Sequence, residues 1–220
     1  MKRGIWRSCI LLGLFVCFRT LPLRATEVSS DSLVTVAVHN DAGVPAGTLI
    51  EAEQTARAIF KRAGVDVTLI NCRAPATGMQ IGSTCRTTEF PRHLQMRIVR
   101  RSLNLRESVF GVSFLDDDGN GCYSDVFLEP AQELHERLHI SLATLLGNVV
   151  AHEIAHLLLG TNGHSARGIM RAHWQDEDLA QASRGELLFT GAQGRTMREK
   201  VFGSLCRAHR ITAAAAPGTD

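Results

Sequence analysis

The stretch AHEIAHLLLGTNGHSARGIM, residues 151–170, gathers three imidazoles and a carboxylate in the most apolar part of the chain. A buried imidazole or carboxylate without a partner costs several kcal/mol, comparable with the stability of a whole domain. His152 and His156 are four residues apart. On a helix they stand one turn from each other and can offer neutral nitrogens to one metal ion. Glu153 lies about 100° round the helix from His152. There it can take a proton from water beside the metal without ligating the ion. On the same helical wheel Leu142, Leu145, Leu146 and Val149 define one face, and His152, Glu153 and His156 continue it. The polar triplet therefore points inward, where a metal supplies the missing partners. A single catalytic Zn2+ is the cofactor this donor set predicts.

Two histidines leave a catalytic zinc short of a protein ligand, since such sites normally take three plus water. Gly160 ends the apolar run, and TNGHSARGIM follows. Here the sequence resembles the metzincin metallopeptidases, whose pattern is HExxHxxGxxH followed by a Met-containing turn. The resemblance implies that Gly160 turns the chain so that a third histidine returns to the metal. It also implies that Met170 forms an apolar floor beneath the ligands. The spacing departs from the pattern. Gly160 comes four residues after His156 instead of three, and His164 comes eight after instead of six, with Asn162 where the third ligand would fall. A longer loop still delivers His164, and imidazole is a far better zinc ligand than a carboxamide. The competing, gluzincin-like reading takes a carboxylate from the next helix, and Glu177, 21 residues after His156, is its candidate. His173 reads as a surface residue or a neighbour of the ligands.

The resemblance implies a zinc metalloendopeptidase acting on a peptide or protein substrate. Zinc activates a water, and Glu153 as general base takes its proton and passes it to the leaving amine. It further implies that the substrate pairs with the edge strand of a sheet, for which residues 122–129 are the candidate. Two other readings stay open: a non-proteolytic zinc-binding secreted domain without a peptide cleft, and a zinc hydrolase of a non-peptide amide. Some metzincins carry a tyrosine just after the Met turn. Here MRAHW has none, and the chain's one tyrosine is Tyr123.

The elements that must position these groups follow from periodicity. Leu33 to Val38 alternates as a strand, and the segment 45–64 places Leu49, Ala52, Ala56, Ile59 and Phe60 on one helical face, with Gly64 as its stop. VDVTLINC is a second strand, parallel to the first if the crossover obeys the usual rule. HLQMRIVRR alternates again, and SVFGVSFL and CYSDVFLE flank the turn DDDGNG as a hairpin. A short helix is expected over 131–138, and a longer one runs from a Ser141 cap to Gly160. Two more are expected from QDEDLAQAS and from a Thr190–Gln193 capping box. The predicted fold class is α/β (α+β): a mixed twisted sheet with an active-site helix, followed by a helical C-terminal part. DDDGNG opens like a calcium loop, but Phe127 stands where the twelfth-position glutamate belongs, so it reads as a solvated acidic turn.

Residues 1–25 read as a signal peptide: Lys2, Arg3 and Arg7 precede an apolar run at 9–18, and Ala25 is a plausible cleavage residue. A single domain at 26–210 and a disordered tail at 211–220 complete the expected organisation, with the protein secreted or periplasmic and no stable membrane span after cleavage. Of the 24 Lys and Arg, five fall in 1–25, which leaves 19 against 22 Asp and Glu. That balance gives no electrostatic footprint for nucleic acid. Four cysteines remain, Cys72, Cys85, Cys122 and Cys206, and export favours two disulfides, Cys72–Cys85 and Cys122–Cys206.

Overall fold

The computed structural model describes residues 34–72, 82–101 and 109–214, with side chains from 205 onward excluded. The expected signal peptide therefore lies outside the described residues. Element order is β1 (Val34–Asn40), α1 (Ala46–Arg62), β2 (Val67–Asn71), a 3-10 turn (Ser83–Cys85), β3 (His93–Val99), β4 (Gly111–Phe114), β5 (Tyr123–Phe127), α2 (Leu128–Leu138), α3 (Leu142–Leu159), α4 (Asp176–Ser183) and α5 (Gly191–Ala214). The five strands form one sheet in the order β2-β1-β3-β5-β4. β1 pairs in parallel with β2 and β3, and β3 with β5, so only β4 runs antiparallel. This is the mixed α/β sheet that the sequence predicts, with the helical part after it.

α1 and α3 cover one face of the sheet. Val36, Val38, Leu94, Met96, Ile98 and Val126 meet Leu49, Phe60, Leu146, Ile154 and Leu157 in one core. α3 is apolar and long enough to cross a membrane by length and composition, but here it is the buried central helix of the domain. Gly147 explains how closely α1 approaches it: a Cβ there would lie 2.6 Å from the carbonyl oxygen of Ala52 and 2.5 Å from Cβ of Thr55. Ser141 caps the start of α3, accepting from the Thr144 amide at 3.5 Å, and Gly160 ends the helix in the left-handed conformation at φ 70°. The Thr190–Gln193 capping box forms in both directions at the start of α5, at 2.8 and 3.3 Å.

Two expectations are corrected. Residues 122–129 are not the edge of the sheet: β5 lies between β3 and β4, and β4 is the edge. The chain lays the short antiparallel β4 outside its own hairpin partner, a choice the alternation pattern of the two strands cannot express. The Cys72–Cys85 disulfide forms and Cys122 is a free, half-buried thiol among the described residues, while the side chain of Cys206, the other half of the second expected bridge, lies outside them. α5 is described as far as Ala214. The short second helix also begins earlier than 131, at Leu128.

The acidic turn is built as expected. Asp116 Oδ1 accepts from the amides of Asp118 and Asn120, at 3.0 and 2.8 Å, so its carboxylate is spent on holding the turn. Arg97 pairs with Asp125, and Arg101 with Glu129 and Glu133.

Candidate metal centre

The last two turns of α3 present His152 and His156 on the inward stripe, and the Gly160 turn brings the chain back beside them. His152, His156 and His164 form a cluster whose potential ligand atoms all lie within 4.8 Å of one another. His152 and His156 are buried, whereas His164 stands at the exposed side of the cluster. The rings are 4.7 Å apart for His152–His156, 5.3 Å for His152–His164 and 4.9 Å for His156–His164.

Hydrogen bonding sets the tautomers. His152 Nδ1 donates to the Ile169 carbonyl at 2.7 Å, and His156 Nδ1 donates to the Thr161 carbonyl at 2.7 Å. A carbonyl only accepts, so each Nδ1 carries the hydrogen and each neutral ring turns a bare Nε2 lone pair inward. Those two Nε2 atoms face each other at 3.0 Å. Two lone pairs at that separation repel unless a cation lies between them, and tetrahedral zinc would hold two imidazole nitrogens about 3.3 Å apart. The donor set therefore fits a metal ion, and the carbonyl partners are the usual orienting contacts of ligating histidines. Burial and the neighbouring imidazoles favour the neutral, ligating form. Burial first, then the charge of His156, lowers the His152 pKa to about 4. His156 is lowered mainly by burial, and so is His164, with a contribution from nearby His173.

Glu153 is 4 % exposed, and burial pushes its carboxyl up to about 7, against the opposing effect of a hydrogen bond from Ser113. The Ser113 hydroxyl reaches both ends of that residue, 2.7 Å from Glu153 Oε2 and 2.8 Å from its backbone carbonyl. A carboxylate poised near neutrality beside a cluster able to hold a metal ion has the properties of a general base.

The loop that carries His164 is pinned at several points. The Ser165 amide donates to the Met170 carbonyl at 2.8 Å, and the Ile169 amide to Leu188 at 3.1 Å. Arg171 closes the turn from outside: its guanidinium donates to the Ala166 carbonyl at 2.9 and 2.6 Å and to Asp178 at 2.7 Å. Met170 is buried in the main core directly after Ile169, whose carbonyl holds His152 and also accepts from Trp174 Nε1 at 3.0 Å. A cavity of about 300 Å³ opens over the cluster, lined on one side by β4 residues and on the other by Arg171, His173 and Trp174. Phe110 and Trp174 stack across it with centroids 6.1 Å apart. Val109, Val112 and Val149 add apolar wall.

The sequence candidates separate clearly. His152, Glu153, His156 and His164 converge on the cavity, and Asn162 lines it. Glu177 does not join the cluster: it is exposed on α4, accepts from Gln181 at 3.5 Å and lines a different cleft. Sequence reasoning missed Ser113, Gly111, Arg171 and Trp174. Ser113 and Gly111 meet Glu153 from far along the chain, where no local spacing signals them, whereas Arg171 and Trp174 bond to carbonyls five residues back in an irregular loop that no periodicity predicts.

No family model matches the chain, and no curated protein matches it by sequence. Among solved structures, the fold is similar to a zinc-dependent peptidase from Methanocorpusculum labreanum, with TM-score 0.50 and 15 % identity over 74 % of this chain and 99 % of that one. It is also similar to archaemetzincin from Methanopyrus kandleri, with TM-score 0.50 and 14 % identity over 80 % of this chain and 99 % of that one. At these identities the likeness establishes a shared fold.

Proposed function

We propose that this protein is a secreted zinc-dependent peptidase, with His152, His156 and His164 as ligands and Glu153 as general base. The observation that carries the reading is the pair of inward-facing Nε2 lone pairs 3.0 Å apart, with a third imidazole and a buried carboxylate beside them. The fold shared with two zinc peptidases supports it. The open cavity over the cluster favours a peptidase over a zinc-binding domain without a cleft.

Zinc, when bound, supplies a Lewis acid that polarises a carbonyl and makes water acidic enough to attack near neutral pH. The chain does the rest. The Nδ1–H bonds of His152 and His156 hold the rings in the ligating tautomer. Glu153 takes the proton of the attacking water and returns it to the nitrogen of the departing amine. β4, the sheet edge, has one side paired with β5 and no strand on its other side among the described residues. An extended peptide adds to that side as a further strand, with its scissile bond over the cluster. The Phe110–Trp174 stack and the valines exclude water and favour an apolar side chain there.

Export is part of the proposal: the N-terminal pattern of charge, apolar run and small residue supports it, and so does the Cys72–Cys85 disulfide. The test is metal analysis of the purified protein followed by cleavage of an unfolded protein substrate with and without chelator. One zinc per chain and chelator-sensitive cleavage are expected. Zinc without cleavage would return the site to the non-proteolytic reading, and a panel of non-peptide amides would expose the third.

A further inference from the structure

Gly111 and Ser113 are two apart on β4, so their side-chain positions share one face of the strand, and that face packs on α3. Both positions meet the same residue. A Cβ at Gly111 would lie 2.6 Å from Cγ, 2.7 Å from Cδ and 2.7 Å from Oε1 of Glu153. No side chain larger than hydrogen fits there unless the carboxylate moves. Two positions on, the buried Ser113 hydroxyl holds Oε2 at 2.7 Å and the Glu153 carbonyl at 2.8 Å. Among the described residues, Ser113 makes the only hydrogen bond recorded to the Glu153 carboxylate.

We propose that the Gly111–Ser113 pair is a cradle on the edge strand that positions the Glu153 carboxylate for catalysis, with Ser113 as a positioning residue. The inference rests on the peptidase reading above and adds to it the origin of the base's orientation. A buried glutamate carboxylate at the end of three rotatable bonds has several rotamers open to it, and a general base must meet its proton within hydrogen-bond reach. Gly111 leaves the space that one rotamer needs, and Ser113 bonds that rotamer. The second acceptor on the backbone of the same residue keeps the hydroxyl bonded while the carboxylate gains and returns its proton. Because β4 also lines the cavity and has no strand on its other side among the described residues, one element sets both the register of a bound peptide and the direction of the base.

The test compares zinc-loaded wild type, Ser113→Ala and Ser113→Thr for zinc content, kcat and KM on a peptide that the wild type cleaves. Ser113→Ala is expected to keep one zinc per chain and a KM within about twofold, with kcat reduced roughly 10- to 100-fold, as losing one hydrogen bond to a charged group predicts. Ser113→Thr keeps the hydroxyl and is expected to recover most of that loss. Gly111→Ala provides an independent arm, with full zinc and a comparable fall in kcat. A Ser113→Ala enzyme with kcat within twofold of wild type overturns the proposal alone. So does a Ser113→Ala variant that loses zinc or raises KM while kcat holds, because a merely structural strand would behave that way. A zinc-loaded wild type that cleaves nothing overturns the peptidase reading and takes the cradle's catalytic role with it.

Discussion

Gly160→Ala tests how His164, the proposed third ligand, is delivered. Gly160 has φ 70°, and it closes α3 with its amide on the His156 carbonyl at 2.9 Å. An alanine in the left-handed region costs roughly 1–2 kcal/mol. Its Cβ would also fall 2.6 Å from the Gly119 carbonyl oxygen, a backbone atom held in the acidic turn, and against the movable end of Lys200. Relieving such a contact costs about 1–3 kcal/mol more. For a domain of this size each kcal/mol moves Tm by about 2–4 °C, so the fall should be roughly 5–15 °C. The strain also reaches the metal. The next residue, Thr161, provides the carbonyl that orients His156 at 2.7 Å, and His164 follows on the same loop. Disturbing an orienting partner typically costs 10- to 100-fold in metal affinity. The assay is thermal unfolding in excess chelator, which removes the contribution of bound zinc, with zinc affinity measured separately. Gly160→Asn separates the two causes: asparagine tolerates the left-handed region, so it should recover the conformational part and keep the steric part. A Gly160→Ala protein with Tm within about 1 °C of wild type and unchanged zinc affinity would refute the reasoning.

Further outcomes follow from the same geometry. Glu153→Gln should retain zinc and lose hydrolysis by at least ~100-fold, measured as kcat on a peptide, because the carboxylate moves protons and does not hold the ion. His164→Ala should lose much of the zinc, whereas Glu177→Ala and Asn162→Ala should keep it. Full zinc in folded His164→Ala together with loss in Glu177→Ala would reverse the ligand assignment. Reducing Cys72–Cys85, which closes a loop with sequence separation 13, should lower stability by about 3 kcal/mol in denaturant unfolding. Glu53 is buried on α1 with Oε1 unpartnered among the described residues, and burial raises its pKa against the opposing charge of Arg57. Its native state therefore binds the proton more tightly than the unfolded chain, and stability falls as pH rises from the unfolded carboxyl value through the raised one. Glu53→Gln should stabilise the domain at pH 7, with the gain vanishing below about pH 4. An equal gain at both pH values would contradict that origin.

What the sequence by itself determined was local. The inward stripe that carries His152, Glu153 and His156 follows from 3.6-residue periodicity within one helix. The Ser141 cap, the Gly160 stop and the Thr190–Gln193 box depend on residues within a turn of one another. The Cys72–Cys85 loop was legible because a short segment poor in large apolar residues sits between two nearby thiols. His164 was legible as one of three candidates with Asn162 and Glu177, and a choice between it and Glu177 required knowing where α4 lies. Tertiary structure alone decided the rest. β4 and β5 are similar alternating strands in sequence, and which of them is the edge depends on β5 pairing with β3, a contact between segments far apart in the chain. The same long-range packing stacked Trp174 against Phe110 and brought Ser113 and Gly111 of a four-residue strand against Glu153, 40 residues on from Ser113. Periodicity can show which way a side chain faces, but the residue that meets it across the core is chosen by how the elements pack.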